Sequence, residues 1–151
     1  MNTKIKRSLW AGIIGTAVMT VVMMIAPMMG MPKMSPPKML SAMLGMPLFI
    51  GWIMHFMIGI AFAIAYTYWF VFIHKIGNVW LKGVVFGIIA FAFAQLMMGT
   101  MGMMMSMPKM EGPMALNAIG SLIGHLIFGM AVAKTIGNTY CSNQTCKTKM
   151  V

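Results

Sequence analysis

LFIGWIMHFMIGIAFAIAYTYWFVFI, residues 48–73, carries no lysine, arginine, aspartate or glutamate. Its one side chain that titrates near neutral pH is His55. A helix needs about 20 apolar residues to cross the hydrocarbon core of a bilayer, so this run predicts a membrane span. Three more runs of spanning length lie at about 9–29, 79–105 and 114–136. Glycines are frequent in all four, and membrane helices use glycine for close packing. The expected fold is an all-α membrane domain over 1–151 with four transmembrane helices and a polar tail at 138–151.

Composition agrees. With 60% hydrophobic and 8% charged residues in 151, the chain has too much apolar surface for one small water-soluble core. The formal charge of +10 could suggest nucleic acid. However, the cations flank the apolar runs and form no basic face interleaved with aromatics, so a nucleic-acid partner is excluded. Lys4, Lys6 and Arg7 before an apolar run imitate a signal peptide. That run is too long for a signal core of about 7–15 residues and lacks a small-residue cleavage site, so it is expected to stay as the first span.

Charge also gives a direction. Lys4, Lys6, Arg7, Lys75, Lys82, Lys134, Lys147 and Lys149 fall on one side, against Lys33, Lys38 and Lys109 on the other. The positive-inside rule then puts both termini in the cytoplasm and two Pro-Lys-Met links outside, in a bacterial inner membrane. Trp10, Tyr66, Tyr68, Trp69, Trp80 and Tyr140 gather near the inner interface and Trp52 near the outer one, as aromatic belts do. Pro27 is expected to kink or end the first helix. The link around Lys75-Ile76-Gly77-Asn78 reads as a tight turn, with Asn78 capping the third span. The two Pro-Lys-Met links read as loops.

The halves at about 8–75 and 79–137 resemble each other. MMGMPKM at 28–34 is echoed by MMMSMPKM at 103–110. Gly51-x3-His55-x3-Gly59-x3-Ala63 parallels Ser121-x3-His125-x3-Gly129-x3-Ala133. Residues four apart share a helix face, so each histidine sits on a stripe of small residues. Two duplicated hairpins in the same orientation are expected, with the two stripes meeting near an axis along the membrane normal. A stripe of this kind also serves as a plain packing seam.

On the stretch GWIMHFMIG at 51–59 and on HLIFG at 125–129, the chain resembles small four-pass bacterial membrane proteins grouped as a family of unknown function. The resemblance runs from the first span to the fourth. It implies the four-helix fold and no activity.

The methionines are unevenly placed. Of 24, 21 lie in 19–57 or 97–114, which this topology puts in the outer half of the bilayer or outside it. The third span uses Val, Phe, Ile and Ala up to Leu96 and then turns methionine-rich, a switch that hydrophobicity alone does not require. Thioether sulfur is a neutral, soft donor suited to Cu(I) or Ag(I). Met97, Met101 and Met105 stack along one helix face, as do Met19 and Met23. The expected metal ligands are Met97, Met101, Met103, Met104, Met105 and Met107, joined by Met28, Met31 and Met34, with His55 and His125 as a deeper site. Methionine also packs flexibly or offers a pliable partner surface, and at an outer face it can scavenge oxidants.

His55, His125 and Gln95 fall inside spans, where polar groups are costly and therefore candidates for function. They could form one polar cluster beneath the methionines, or each could hydrogen-bond a neighbouring helix. Two histidines on separate helices beside glycines could also hold a haem. An enzyme is not expected. Glu111 is the only carboxylate side chain, so paired-carboxylate chemistry and acidic proton relays are absent, and hard cations lack donors. There is no phosphate-cradling loop and no serine or cysteine beside an evident base. Cys141 and Cys146 lie in the polar tail, where they could receive a soft metal or be incidental. The leading expectation is Cu(I) binding at the outer face, with transport as its extension through a homo-oligomer. The alternative is a non-catalytic subunit or assembly factor of a larger membrane complex, and a haem-binding carrier comes third.

Overall fold

The computed structural model describes residues 3–33, 35–69, 76–104 and 112–137. Five α-helices follow in order: α1 (Thr3–Ile25), α2 (Pro36–Leu44), α3 (Leu48–Tyr68), α4 (Val79–Met104) and α5 (Met114–Ile136). No strand occurs among the described residues. Four of the helices, all but α2, are long and apolar enough to cross a membrane.

The first helix starts earlier than the apolar pattern suggests, at Thr3, because its charged first turns are as helix-competent as the rest. Its α-helical part stops at Ile25 and continues as a 3-10 turn over Ala26–Met29, since Pro27 has no N–H to donate. Gly30 closes the turn in the left-handed region at φ 85°. Asn78 does cap α4: its Oδ1 accepts the Trp80 N–H at 2.9 Å. Residues 70–75, the expected end of the second span, lie outside the described residues.

The first Pro-Lys-Met link is not simply a loop. It contains α2, which begins on Pro36 and Pro37, where the absent N–H groups would have no partner in any case. Gly45, at φ 62°, ends it with the Gly45 and Met46 N–H groups donating to the carbonyls of Ala42 and Ser41. The helix buries Pro37, Ser41 and Met43 and packs chiefly on α3.

The four long helices pack antiparallel to their neighbours. α1 lies between α3 and α5, and α5 lies against α4. The small-residue stripes of α3 and α5 do not meet each other, contrary to the expectation of a shared axis. Each instead packs within its own hairpin. A Cβ on Gly59 would collide with Thr16 of α1, and one on Gly129 would collide with the backbone of Gly83 and Gly87 of α4. Gly12 lies just as close to Ile60, and Gly83 to Met130. The reason is steric: two antiparallel helices approach most closely where small residues face each other.

Between hairpins, Gly15 receives Phe128 and Val132, and Gly124 receives the methyl ends of Met19 and Met23. α3 and α4 meet mainly through rings, Phe62 on Phe93 at 5.5 Å and Tyr66 on Phe86 at 4.8 Å. Tyr66, Phe86 and Phe128 therefore fill the half of the bundle nearer the termini. The outward surface is apolar on all sides, including Ile53, Leu96 and Ile119, each at least half exposed. Such a surface is stable in lipid, where nothing drives it inward.

Candidate functional site

The half of the bundle away from the termini is hollow. A cavity of about 860 Å³ lies there, walled by all five helices. α2 forms part of its outer wall, and Phe62, Ala90 and Phe128 lie at its inner end. Both in-span histidines line it, from opposite hairpins.

His55 is buried on the α3 stripe, facing α1. Its Nε2 is 3.0 Å from Thr20 Oγ1, and that hydroxyl donates its only proton to the Thr16 carbonyl at 2.7 Å. The hydroxyl oxygen is thus left to accept from Nε2–H. The neutral ring then keeps its lone pair on Nδ1. His125 is held the opposite way. Its Nδ1 donates to the Ser121 carbonyl at 2.7 Å, so its lone pair is on Nε2. Phe91 packs edge-on against this ring, with centroids 5.9 Å apart. Each imidazole is therefore fixed by one nitrogen and keeps one acceptor, the arrangement that orients histidine ligands in metal sites.

Eight methionines join them: Met19 and Met23 from α1, Met39 and Met43 from α2, Met54 from α3, and Met97, Met98 and Met101 from α4. Met19 and Met23 lie against Gly124, immediately before His125. Asn117, Ser121, Thr16 and Ser35 supply the remaining neutral polar groups, and the Thr16 hydroxyl is buried without a hydrogen-bond partner. Lys33 and Lys38 line the cavity while staying exposed, which sets them at its mouth.

Of the residues expected from the sequence, Met97, Met101, His55 and His125 come together here. Met28 and Met103 do not: at 86% and 90% exposed they lie on the surface. Met31 is half-buried and is not part of the lining, nor is Gln95. Met104 ends α4 without a described side chain, and Met34, Met105, Met107, Glu111, Cys141 and Cys146 lie outside the described residues. The contributions of Met39, Met43, Met54 and Met98 escape a reading of the sequence alone. For Met39 and Met43 the available signal is their spacing of four after Pro36-Pro37, a helix start that reads as a loop.

Among the described residues the lining offers thioethers, imidazoles, hydroxyls, one amide and the two lysine ammonium groups at the mouth, with no carboxylate. No cluster of three or more His, Cys, Asp or Glu occurs among the described residues. Among these described groups a hard cation finds no charged oxygen, whereas a soft ion finds neutral sulfur and nitrogen.

The fold and this cavity define a small four-span helical membrane protein with a largely apolar, methionine-rich cavity that both in-span histidines line. Over residues 2–146 the chain matches the family described as "Family of unknown function (DUF6789)", and it belongs to that family. No curated protein and no solved structure matches it.

Proposed function

We propose that the protein binds a soft monovalent ion, Cu(I) or Ag(I), in this cavity, and that it does so without catalysing a reaction. One observation carries the reading: eight thioethers and both in-span histidines line a single cavity although they come from five separate helices. Neutral sulfur and imidazole donors suit a d10 monovalent ion, and the described lining offers no carboxylate for Ca²⁺ or Mg²⁺. On the lysine and arginine bias of the sequence we take the cavity to lie in the outer half of the bilayer, which suits capture from outside. Transport is the extended form of this reading. It requires the Tyr66–Phe86–Phe128 packing to open or a further copy to complete a path.

The test is an anaerobic Cu(I) titration of purified protein in detergent against a chromophoric competitor. One variant carries leucine at Met19, Met23, Met97 and Met101, and another carries H125A. Saturable binding that each variant weakens at least about tenfold, a change of 1.4 kcal/mol, supports the reading. Equal binding by all three proteins sinks it.

A second reading has its own observation. Met28, Met29, Met103 and Met114 are 79–90% exposed at the same end of the bundle, a pliable thioether surface for a protein partner in a larger membrane complex. The haem reading gains less support, because His55 Nε2 already donates to Thr20.

A further inference from the structure

The cavity is far larger than an ion needs. At about 860 Å³ it falls in the range of small-molecule pockets, roughly 300–1,000 Å³, and its lining is overwhelmingly apolar. Beyond the Phe62–Phe93 ring contact, α3 and α4 scarcely approach each other, and Ile58 and Met97 at this seam line the cavity and are 41% and 46% exposed. This loose seam is the side on which the cavity could take a chain from the surrounding hydrocarbon. Water gains little in an apolar space, whereas a hydrocarbon chain recovers dispersion contacts with every wall.

Among the described residues the mouth has one sign of charge: Lys33 and Lys38 are the only lysine, arginine, aspartate or glutamate side chains of the lining there. Long lysine stems can lie along apolar walls while their ammonium groups stay at the polar boundary. A positive rim above an apolar interior is complementary to a molecule with a negative head and a hydrocarbon tail.

We infer that the cavity binds an anionic amphiphile, its chain entering between α3 and α4 and its head group held by Lys33 and Lys38. This does not rest on the metal reading, and the two respond oppositely to substitution. Replacing the lysines weakens amphiphile binding and removes positive charge that repels a cation. Replacing His125 removes a metal ligand and leaves the rim intact.

The experiment uses the full chain in phosphatidylcholine nanodiscs, probed by electron paramagnetic resonance with spin-labelled stearate at alkaline pH. Spin-labelled methyl stearate serves as the uncharged control. Wild type is expected to show a saturable immobilised component for stearate that the ester does not reproduce. The double variant K33Q/K38Q is expected to bind stearate about tenfold more weakly, the factor for losing one charge-assisted contact of about 1.4 kcal/mol. Filling the cavity with A94W is expected to abolish the component. Equal immobilisation of stearate and its ester, or no change in K33Q/K38Q, which alters only surface side chains, overturns the inference. A spin-labelled phosphatidylglycerol arm separates the sources. Tighter binding than stearate identifies a membrane lipid, and weaker binding a free fatty acid, each with the lysine dependence that the inference requires.

Discussion

At the residue scale, single side chains set the ligand capacity of the two histidines. Thr20 gives its proton to Thr16 and so accepts from His55, which fixes one tautomer without any charge. Thr20→Val keeps the shape and removes the acceptor. It is expected to lower stability in a detergent unfolding titration by about 0.6 kcal/mol, the average for a hydrogen bond between membrane helices, and by no more than about 1.7. The ¹⁵N spectrum of His55 should change from one tautomer to a mixture. An unchanged spectrum would show that the hydrogen bond is not formed in solution. The glycines make a second residue-level prediction. Gly59→Ala and Gly129→Ala force a methyl into opposing atoms and should each cost about 1–3 kcal/mol. Gly99, also in a helix, has nothing within 4 Å of the place an added methyl would occupy, so Gly99→Ala should be neutral or stabilising by up to about 1 kcal/mol. Equal losses at all three positions would refute the close-approach account.

At the scale of elements, α2 is the informative one. Its buried face of Pro37, Ser41 and Met43 rests on α3, and the contact depends on Gly51, where a Cβ would overlap the Pro37 carbonyl oxygen. Gly51→Ala should therefore lift α2 from α3 and uncover the cavity beneath it. Met43→Cys, in a background with Cys141 and Cys146 replaced by serine, reports this as its rate of maleimide labelling. About a tenfold acceleration on adding Gly51→Ala is expected, the factor for 1.4 kcal/mol of lost packing. An unaltered rate would mean that α2 does not depend on that seam. The same helix shows why sequence alone makes the link a loop. Two adjacent prolines signal a break inside a helix, yet at its first turn they are ordinary, and only the position of the start distinguishes the two cases.

At the scale of the molecule, the hollow half and the filled half have different jobs. Rings from three helices, Tyr66, Phe86 and Phe128, supply rigid contact near the termini. Towards the loops, methionines and small residues surround open space instead. Thioether side chains with three rotatable bonds can close on a small ion or yield to a larger ligand. One comparison measures this division. Cu(I) affinity and stearate immobilisation should both fall in A94W, because both occupants use the same volume. Substitution of the surface residues Met28 and Met103 should leave both unchanged. A loss of Cu(I) affinity in M28L/M103L would move the metal site out of the cavity and onto the exposed rim.

The number of spans and the in-span positions of His55 and His125 were legible along the chain. A bilayer imposes a length and a polarity on each continuous segment, and both are local properties of sequence. Which thioethers share a space was not legible. Met97 and Met101 line the cavity while Met103, two residues further on, faces outward, and Met43 arrives from a helix whose sequence reads as a loop. The partners of the glycine stripes were equally hidden, because Gly59 could have faced α5 as readily as α1 by its spacing alone. Periodicity assigns residues to a common face of one helix, but the neighbour that face meets depends on how four helices of nearly equal apolarity pack, and that choice is made by side-chain volume across helices in tertiary structure.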